Sequence, residues 1–275
     1  MTRVALLQMT GGIDPSANAQ ALVGAVRDAE ARGAAMLFTP EMSNLVDRDR
    51  ERAARSIRAE GDDPVLAAVC AAAAEHGVWV HLGSLALRRE DGRLANRGFV
   101  IDDAGEVRAR YDKLHLFDVD LPTGESWRES AAYARGEAAC VVGTPAGLLG
   151  PTICYDLRFP ALYQALSGAG ATLLAVPAAF TRPTGAAHWE VLLRVRAMES
   201  AAFVIAAAQC GVHEDGRATW GRSMVVDPWG EVLLDMGGEP GLGVVDLDLG
   251  RVAEVRARLP VLAHRRPIPP VAVLA

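Results

Sequence analysis

The chain has 275 residues, of which 51% are hydrophobic and 23% are charged, and its net charge is −6. That length suits one large α/β domain or two small ones, and the composition can bury a full core, which excludes a disordered chain. The negative charge argues against a nucleic-acid-binding protein, which normally presents a basic face.

The first part of the chain alternates predicted strands with predicted helices. Asp14-Pro15 and Asp63-Pro64 each combine an N-cap residue with a proline suited to the first helical position. We therefore predict helices that begin at these positions and end near Gly33 and Gly77. Predicted strands cover residues 4–9, 35–39, 78–87, 98–102 and 107–111, and the last three are separated by the turn signals Asp91-Gly92 and Ala104-Gly105.

The second part repeats this pattern after a long, glycine-punctuated segment, residues 112–136. Loops of that length in a compact domain are usually functional. Because strands alternate with helices throughout, and no linker-like composition separates two halves, we predict one α/β domain with two sheets and outer helices. The further predicted strands are 148–154, 172–177, 202–209, 223–227, 232–235 and 243–248, and the further helices are 159–169, 187–200 and 251–259.

The sequence offers little support for secretion, membrane insertion or a cofactor. The N-terminal apolar run is too short for a signal peptide, and the longest uncharged apolar stretch, residues 201–210, is about half of what a spanning helix needs. The four cysteines lack C-x-x-C spacing, so we expect free thiols in a cytoplasmic protein. The histidines lack metal-binding spacing and no nucleotide-binding loop is present, so we expect no metal, no cofactor, no nucleic acid and no membrane partner.

Cys154 is the strongest catalytic candidate because it follows a predicted strand and precedes a predicted helix. Such an elbow exposes a side chain at the sheet edge and provides backbone N–H groups for an oxyanion. Near a helix N-terminus we expect the thiol to have a lowered pKa and to attack as a thiolate. The alternative is a buried structural cysteine, which is the interpretation that we favour for Cys70 and Cys140.

Two charged residues also follow predicted strands. Glu41 lies in Thr-Pro-Glu-Met, where burial can raise the pKa of a carboxyl group as a general base requires, although a helix-start glutamate is an alternative. Lys113 follows the strand 107–111, where an ammonium can stabilise an oxyanion, although a solvated lysine is the default. His115 and His188 leave a cysteine–histidine dyad open, but no spacing pairs either with the candidate nucleophile.

Taken together, three segments resemble the glutamate, lysine and cysteine blocks of the nitrilase superfamily of carbon-nitrogen hydrolases. They are Thr-Pro-Glu-Met at 39–42, Asp-Lys-Leu-His-Leu-Phe-Asp at 112–118 and Ile-Cys-Tyr-Asp-Leu-Arg-Phe-Pro at 153–160. The blocks match in order and spacing, and the likeness extends from residue 4 to residue 267. The resemblance implies an α/β fold of the αββα four-layer sandwich type, one hydrolase domain over residues 1–275, a homodimer, and catalysis without a metal or organic cofactor.

The resemblance also implies roles for individual residues. Cys154 corresponds to the nucleophile, Glu41 to the general base and Lys113 to the residue that stabilises the oxyanion. Glu129, in Trp-Arg-Glu-Ser, occupies the place of the family's second glutamate, which helps to position the substrate and the lysine. The backbone N–H of Tyr155 completes the oxyanion hole.

Other segments are similar to the deaminated glutathione amidases and their omega-amidase relatives. These are residues 184–194, 207–211, 224–230 and 259–267. They imply hydrolysis of a small carboxylate-bearing amide to a carboxylate and ammonia through a cysteine thioester. An omega-amidase, an N-carbamoyl amino acid hydrolase and a scaffold without turnover are the alternatives. Residues 122–130 depart from the pattern of the branch, which leaves the role of that loop and the physiological substrate open.

A carboxylate-bearing substrate requires a cation besides the candidate lysine. Arg182 lies beyond the predicted strand 172–177, at the edge of the sheet where ligands collect in α/β proteins. Arginine can bind a carboxylate through two parallel hydrogen bonds, although an exposed loop arginine is the common alternative. Arg158 is expected instead to brace the elbow through Asp156.

Overall fold

The computed structural model describes residues 1–120, 124 and 126–274, and its framework consists of two six-stranded sheets. In the first sheet, three central strands run parallel and the flanking strands pair antiparallel. Its strands are β1 (Thr2–Gln8), β2 (Met36–Phe38), β3 (Trp79–Arg88), β4 (Leu94–Ile101), β5 (Val107–Asp112) and β16 (Gly241–Leu247). Their order across the sheet is β16-β1-β2-β3-β4-β5.

The second sheet is built in the same way, with three parallel strands at its centre. Its strands are β8 (Val142–Thr144), β9 (Gly147–Pro151), β10 (Leu173–Ala175), β11 (Phe203–Ala206), β14 (Met224–Val226) and β15 (Val232–Asp235). Their order is β15-β14-β11-β10-β9-β8. Two small hairpins lie outside the sheets: β6 (Asp118–Asp120) with β7 (Ser126–Arg128), and β12 (Cys210–Val212) with β13 (Ala218–Trp220).

Two helices begin at the N-caps that the sequence predicts. The Asp14 side chain accepts a hydrogen bond from the Ser16 N–H, and the Asp63 side chain accepts from two backbone N–H groups, so both predicted helix starts are confirmed. The second of these helices ends at Gly77, which adopts the left-handed conformation. The helices are α1 (Pro15–Ala31), α2 (Arg50–Ser56), α3 (Pro64–His76), α4 (Pro160–Gly168), α5 (Arg182–Ser200) and α6 (Gly250–Arg258).

Three apolar layers show how these elements stack. Helices α1 and α3 cover the outer face of the first sheet, and α4 and α5 cover the outer face of the second. Between the sheets, side chains of β1 and β2 pack against side chains of β9, β10 and β11, with Phe38 and Phe203 among the largest. The order of layers is therefore helix, sheet, sheet, helix, and the predicted αββα sandwich is confirmed.

Several element boundaries differ from the predictions. Helix α5 begins at Arg182, five residues before the predicted start, and β9 ends at Pro151, so Cys154 opens a short 3₁₀ turn instead of ending a strand. Cys140 lies outside any strand, and α2, β8 and both small hairpins were not predicted. Within the divergent segment 122–130, residues 122, 123 and 125 lie outside the described residues.

Candidate active site

The three predicted catalytic residues lie together where strands of both sheets end. Glu41 follows β2 by three residues and Lys113 directly follows β5, whereas Cys154 follows β9 by three residues. Their exposed fractions are 4%, 2% and 8%, so all three side chains are shielded from water. Two sheets therefore contribute to one buried polar site, and shielding from water strengthens electrostatic interactions within it.

Lys113 bridges two carboxylates. Its Nζ donates to Glu41 Oε1 at 2.8 Å and to Glu129 Oε2 at 2.9 Å, with Glu129 Oε1 at 3.2 Å. An ammonium group has three hydrogens, so one for each carboxylate leaves a third for an oxygen of a substrate. The structure thus brings the predicted supporting residue Glu129 into direct contact with the lysine.

Both oxygens of Glu41 are held by further donors. Oε1 accepts a hydrogen bond from Asn96 Nδ2 at 2.9 Å, and Oε2 accepts one from the Ala179 N–H at 2.9 Å. The same Asn96 amide donates to Glu129 Oε1 at 3.1 Å, so it links the two carboxylates. Asn96 was not predicted, because it lies between Ala95 and Arg97, before the predicted strand 98–102, and carries no signal of its own in the sequence.

The electrostatics of the site differ from the expectations for Cys154 and Glu41. Burial, followed by the negative charge of Glu41, raises the pKa of the Cys154 thiol well above its usual value. Burial also works to raise the pKa of Glu41, but the charge of Lys113 and hydrogen bonds to the carboxylate outweigh it, and the pKa is lowered. Both predicted directions were wrong: burial and the charge of Glu41 disfavour an anion on Cys154, whereas Lys113 and the hydrogen bonds favour the ionised form of Glu41.

The charge of Lys113 itself is stabilised by its neighbours. Burial acts to lower the pKa of its ammonium, but the charges of Glu129 and Glu41 outweigh burial and raise the pKa well above its usual value. The resting site therefore contains a protonated lysine, an ionised Glu41 and a neutral thiol on Cys154. A neutral nucleophile beside an ionised carboxylate is the arrangement that general-base catalysis requires.

The backbone at the elbow adopts unusual dihedral angles. Cys154 has a φ of 48° and Met42, next to Glu41, has a φ of 55°, so two non-glycine residues at the site lie in the left-handed region. Such strain costs about 1–3 kcal/mol for each residue and is maintained by surrounding contacts. At the elbow, the Cys154 N–H donates to the Pro177 carbonyl at 2.9 Å.

Asp156 is the residue that braces the elbow. Its carboxylate accepts from the Ile153 N–H at 2.9 Å, the Tyr111 hydroxyl at 2.7 Å and the His115 N–H at 3.0 Å. The His115 ring nitrogen Nδ1 also lies 2.7 Å from this carboxylate. The prediction that Arg158 braces the elbow was wrong, because histidine and tyrosine side chains occupy the positions around the carboxylate.

Neither histidine acts as a partner of the nucleophile in the described residues. His115 is bound to Asp156 and stacks on Phe159 with ring centroids 3.6 Å apart, and His188 Nδ1 lies 3.3 Å from Arg158 Nη1. No hydrogen bond joins either ring to Cys154 within the part of the chain that the structure describes. The geometry therefore does not support a cysteine–histidine dyad.

The remaining residues discussed from the sequence are Tyr155, Arg158 and Arg182. The Tyr155 N–H donates to no other described residue, so it is available to an oxyanion. Arg158 lies with its guanidinium carbon 5.5 Å from the Phe180 ring centroid and 6.0 Å from that of Tyr155. Arg182 is the exposed first residue of α5, and within residues 1–120, 124 and 126–274 it forms no ion pair.

The described residues contain neither a cluster of metal ligands nor a membrane-spanning helix. Among them, no group of three or more histidine, cysteine, aspartate or glutamate side chains is arranged to hold a metal ion. No helix in this part of the chain combines the length and the apolar character that crossing a membrane requires.

Comparison with known proteins agrees with this geometry. The family model described as carbon-nitrogen hydrolase matches residues 3–257. Deaminated glutathione amidases from Bos taurus and Yersinia enterocolitica are 40% and 38% identical, over 96% of this chain in both cases and 82% and 92% of theirs. The NitFhit protein of C. elegans has a similar structure, with a TM-score of 0.89 and 36% identity, over 96% of this chain and 65% of that longer chain.

A second solved structure bears on the cysteine. It is a mutant of the amidase from Nesterenkonia sp. AN1 that carries acrylamide on its active site cysteine. Its TM-score is 0.78 at 30% identity, over 94% of this chain and 98% of that chain. With the family model spanning most of its length, this chain belongs to the carbon-nitrogen hydrolase family of the nitrilase superfamily and is a hydrolytic, amide-cleaving enzyme.

Proposed function

We propose that the enzyme cleaves a linear amide through a thioester on Cys154, with Glu41 as general base. Lys113 and the Tyr155 N–H hold the oxyanion, and Glu129 holds the lysine. The observation that carries this proposal is the position of the lysine Nζ, 2.8 Å from Glu41 and 2.9 Å from Glu129 beside a buried thiol. The three groups supply a nucleophile, a base and a fixed positive charge in one shielded site.

Acylation begins with a neutral thiol, because the pKa of Cys154 is raised. Glu41 takes the thiol proton as the sulfur attacks the amide carbon, and the carbonyl oxygen becomes an oxyanion. The third hydrogen of Lys113 and the Tyr155 N–H donate to that oxygen; loss of one such donor typically costs about 2.7–4 kcal/mol. Glu41 then gives its proton to the departing nitrogen, and the carbon–nitrogen bond breaks to leave the thioester.

Deacylation uses the same residues, with water as the nucleophile. Glu41, ionised again, takes a proton from a water molecule that attacks the thioester carbonyl, and the same donors hold the second oxyanion. The carbon–sulfur bond breaks, the proton returns to the Cys154 sulfur, and the carboxylic acid product leaves. Glu41 thus carries one proton at a time, the thiol proton in acylation and a water proton in deacylation, while the charge of Lys113 stays fixed.

The proposed substrate is a small acidic amide, most specifically deaminated glutathione. Support comes from the curated relatives of that name at about 40% identity over most of the chain. In deaminated glutathione the scissile amide joins two carboxylate-bearing parts, so its leaving group is a peptide amine. The release of ammonia that we predicted from the sequence applies to a primary amide, such as an omega-amidase substrate. Comparing both substrates therefore separates the two activities.

Arg182 remains our proposal for one contact with the substrate carboxylate. Its support is its position at the start of α5, three residues after Ala179, whose N–H holds Glu41. Arg182→Ala should raise KM for an acidic amide and leave a neutral amide of similar size unaffected. Equal kinetics on both amides would make this arginine a surface residue.

We also propose a homodimer and a cytoplasmic location. The dimer is supported by large apolar side chains exposed together, with Val191 and Met198 on α5 at 63% and 43% exposure and Trp229 at 53%. Met198 lies against Gly230, the residue after Trp229, since an added side chain at Gly230 would meet the Met198 side chain. Sedimentation equilibrium of the purified protein should give twice the chain mass, and a monomer at micromolar concentration would contradict the dimer.

Trapping the thioester tests the mechanism directly. With substrate present, the intact-protein mass of wild type quenched in acid during turnover should increase by the acyl group, and that of Cys154→Ala should not change. Glu41→Gln lacks the base for both half-reactions and should form the adduct far more slowly. Cys140→Ala is the matched control, because that half-buried thiol lies outside the site, and it should keep turnover within a few-fold. An enzyme that remained active as Cys154→Ala would falsify the mechanism, and a wild type without turnover would support the scaffold alternative.

A further inference from the structure

A stacked arginine and tryptophan lie near the site and have no part in the chemistry described above. The guanidinium carbon of Arg217 is 4.8 Å from the centroid of the Trp127 ring. The Arg217 Nε and the Trp127 Nε1 are both buried, and neither donates to an acceptor among the described residues. Buried donors of this kind are rare in folded proteins, and water or a ligand commonly satisfies them.

A row of aromatic side chains connects this pair with the nucleophile. Trp127 lies on β7, two residues before Glu129, and its ring centroid is 6.3 Å from that of Phe117. The Phe117 ring is in turn 5.1 Å from the ring of Tyr155, the residue after Cys154, in an edge-on arrangement. The row therefore runs from the residue beside the reacting sulfur to the guanidinium of Arg217.

The backbone provides an independent connection on the side of the base. Arg217 directly precedes β13, and the Trp220 N–H of that strand donates to the Phe180 carbonyl at 2.9 Å. Phe180 follows Ala179, whose N–H holds the Glu41 carboxylate. Arg217 is thus connected through β13 to the segment whose Ala179 N–H holds Glu41, as well as to the aromatic row.

Among the described residues, the Arg217 side chain forms no hydrogen bond to a carboxylate. Its ion-pair partner in the described part of the chain is Asp215, with 3.5 Å between Arg217 Nη2 and Asp215 Oδ2. That carboxylate also accepts the backbone N–H groups of Arg217 and Arg48, and the Arg48 side chain approaches it at 3.9 Å. The nearby Asp47 is bound by Arg52 at 2.7 Å. Asp215 therefore serves two arginines, the charge of Arg217 also acts on Asp47, and the Arg217 Nε donates to neither carboxylate.

From these contacts we infer that Arg217, supported by the Trp127 ring, binds a substrate carboxylate remote from the scissile amide. A guanidinium offers parallel N–H groups that match a carboxylate, and an aromatic face holds the planar cation in place. The inference rests on the proposed function and extends it: the preferred substrates are amides with two carboxylates, one of which meets Arg217. Deaminated glutathione, with one carboxylate on each side of its amide, belongs to this class.

The test compares Arg217→Gln with wild type on three substrates. They are deaminated glutathione and two analogues, in each of which one of its two carboxylates is blocked as a methyl ester. We expect the variant to lose about 10- to 100-fold in kcat/KM on the parent substrate, chiefly through KM, since a hydrogen bond to a charged group is worth that much. On the analogue that lacks the carboxylate bound by Arg217, variant and wild type should be equal.

Matched variants exclude a general effect on the fold. Arg48→Gln removes the other arginine beside Asp215 and should behave as wild type, whereas Arg217→Lys should fall between wild type and Arg217→Gln. Equal losses on all three substrates, or no loss on any, would overturn the inference. Product masses identify cleavage of the scissile amide in each assay.

A binding measurement separates this inference from the proposed function. In the Cys154→Ala background, calorimetry with deaminated glutathione should show at least a tenfold higher Kd when Arg217→Gln is added, and an unchanged Kd when Arg48→Gln is added. An unchanged Kd with Arg217→Gln would overturn the inference even if the enzyme hydrolyses the substrate. A wild type that binds the ligand through Arg217 without hydrolysing it would instead contradict the proposed activity.

Discussion

Lys113 determines the protonation states of the residues around it. Its ammonium lies between two carboxylates, and the site can therefore keep Glu41 ionised even though burial alone would protonate it. A second anion on the Cys154 sulfur is disfavoured by the same arrangement, because the lysine is already shared. In the proposed mechanism, Cys154 therefore needs Glu41 as a base at the moment of attack, and the reaction should depend on the ionised form of Glu41.

The pH dependence of kcat/KM follows from the lowered pKa of Glu41. The active form has this carboxyl ionised, so activity should fall on the acidic side only below pH 4.5, the ordinary pKa of a glutamate. Stopped assays with short exposure to each pH measure the acidic limb of the kcat/KM profile. A return to pH 7.5 after each exposure checks for denaturation. An acidic limb near pH 6 to 7 in an enzyme that stays folded would show that Glu41 is protonated by burial and that our charge assignment is wrong.

Asn96 is expected to position Glu41 and not to touch the substrate. Its Nδ2 donates to both carboxylates, and its hydrogen bond is one of the contacts that lower the pKa of Glu41. Asn96→Ala should therefore lower kcat by about 10- to 100-fold with little change in KM, and should move the acidic limb to higher pH. Ser167→Ala is the control, because the buried Ser167 Oγ donates to the Tyr163 carbonyl within α4 and touches neither carboxylate. An unchanged acidic limb in Asn96→Ala would reduce this residue to a packing role.

Sequence motifs identified the charged residues of the site but not the directions of their pKa shifts. The blocks around Glu41, Lys113 and Cys154 contain the side chains that the fold assembles, so their positions were predictable. The directions of the pKa shifts were not, because each depends on charges that lie many residues away in the chain. Asn96 escaped notice for the same reason, since its two partners come from separate loops.

At the scale of elements, local signals predicted helix starts better than strand ends. In the Asp-Pro pairs at 14–15 and 63–64, the aspartate caps the helix and the proline ring fixes a helical φ angle at the next position. Both helices begin there. Strand β9 ends earlier than its apolar run, because the chain must turn into the left-handed conformation of Cys154. Helix α5 begins earlier than predicted, with Pro183 in its first turn, a signal that the apolar periodicity did not reveal.

The end of α3 offers a clean test of the left-handed cap. Gly77 has a φ of 63° and an added Cβ would meet no atom within 4 Å, so only the backbone conformation opposes a side chain there. Gly77→Ala should lower the free energy of unfolding by about 1 kcal/mol. Gly61→Ala, which is equally free of contacts but has no positive φ, should have little effect. Urea titrations of both variants measure the difference, and equal destabilisation would contradict the argument from the dihedral angle.

For the whole molecule, the site depends on how the two sheets pack. Glu41 and Lys113 come from the first sheet, whereas Cys154 and Ala179 come from the second, and the side chains between the sheets fix their separation. No local pattern in the sequence encodes that separation, although alternation of strands and helices was enough to predict the layers. Disturbing the inter-sheet layer should therefore affect stability and the site together.

His81 lies in that layer and makes the stability of the whole molecule depend on pH. It is 1% exposed, its ring lies 5.6 Å from that of Phe38, and neither ring nitrogen has a partner among the described residues. Burial lowers its pKa from 6.5 to about 3, so below pH 6.5 the unfolded chain binds a proton that the folded chain does not. Stability is therefore retained above pH 6.5 and decreases progressively as the pH falls from 6.5 towards 3.

The expected size of this effect can be measured with His81→Leu, which keeps a side chain of similar volume and cannot be protonated. Between pH 7.5 and 5.5, the free energy of unfolding of the wild type should fall by about 1.4 kcal/mol more than that of the variant, the linkage value for one histidine shifted in this direction. Urea titrations at the two pH values provide both numbers, and the variant should be at least as stable as wild type at pH 5.5. If both proteins lost the same amount, or if the variant lost more, His81 would have to exchange its proton with solvent in the folded state, and the dry layer between the sheets would have to admit water.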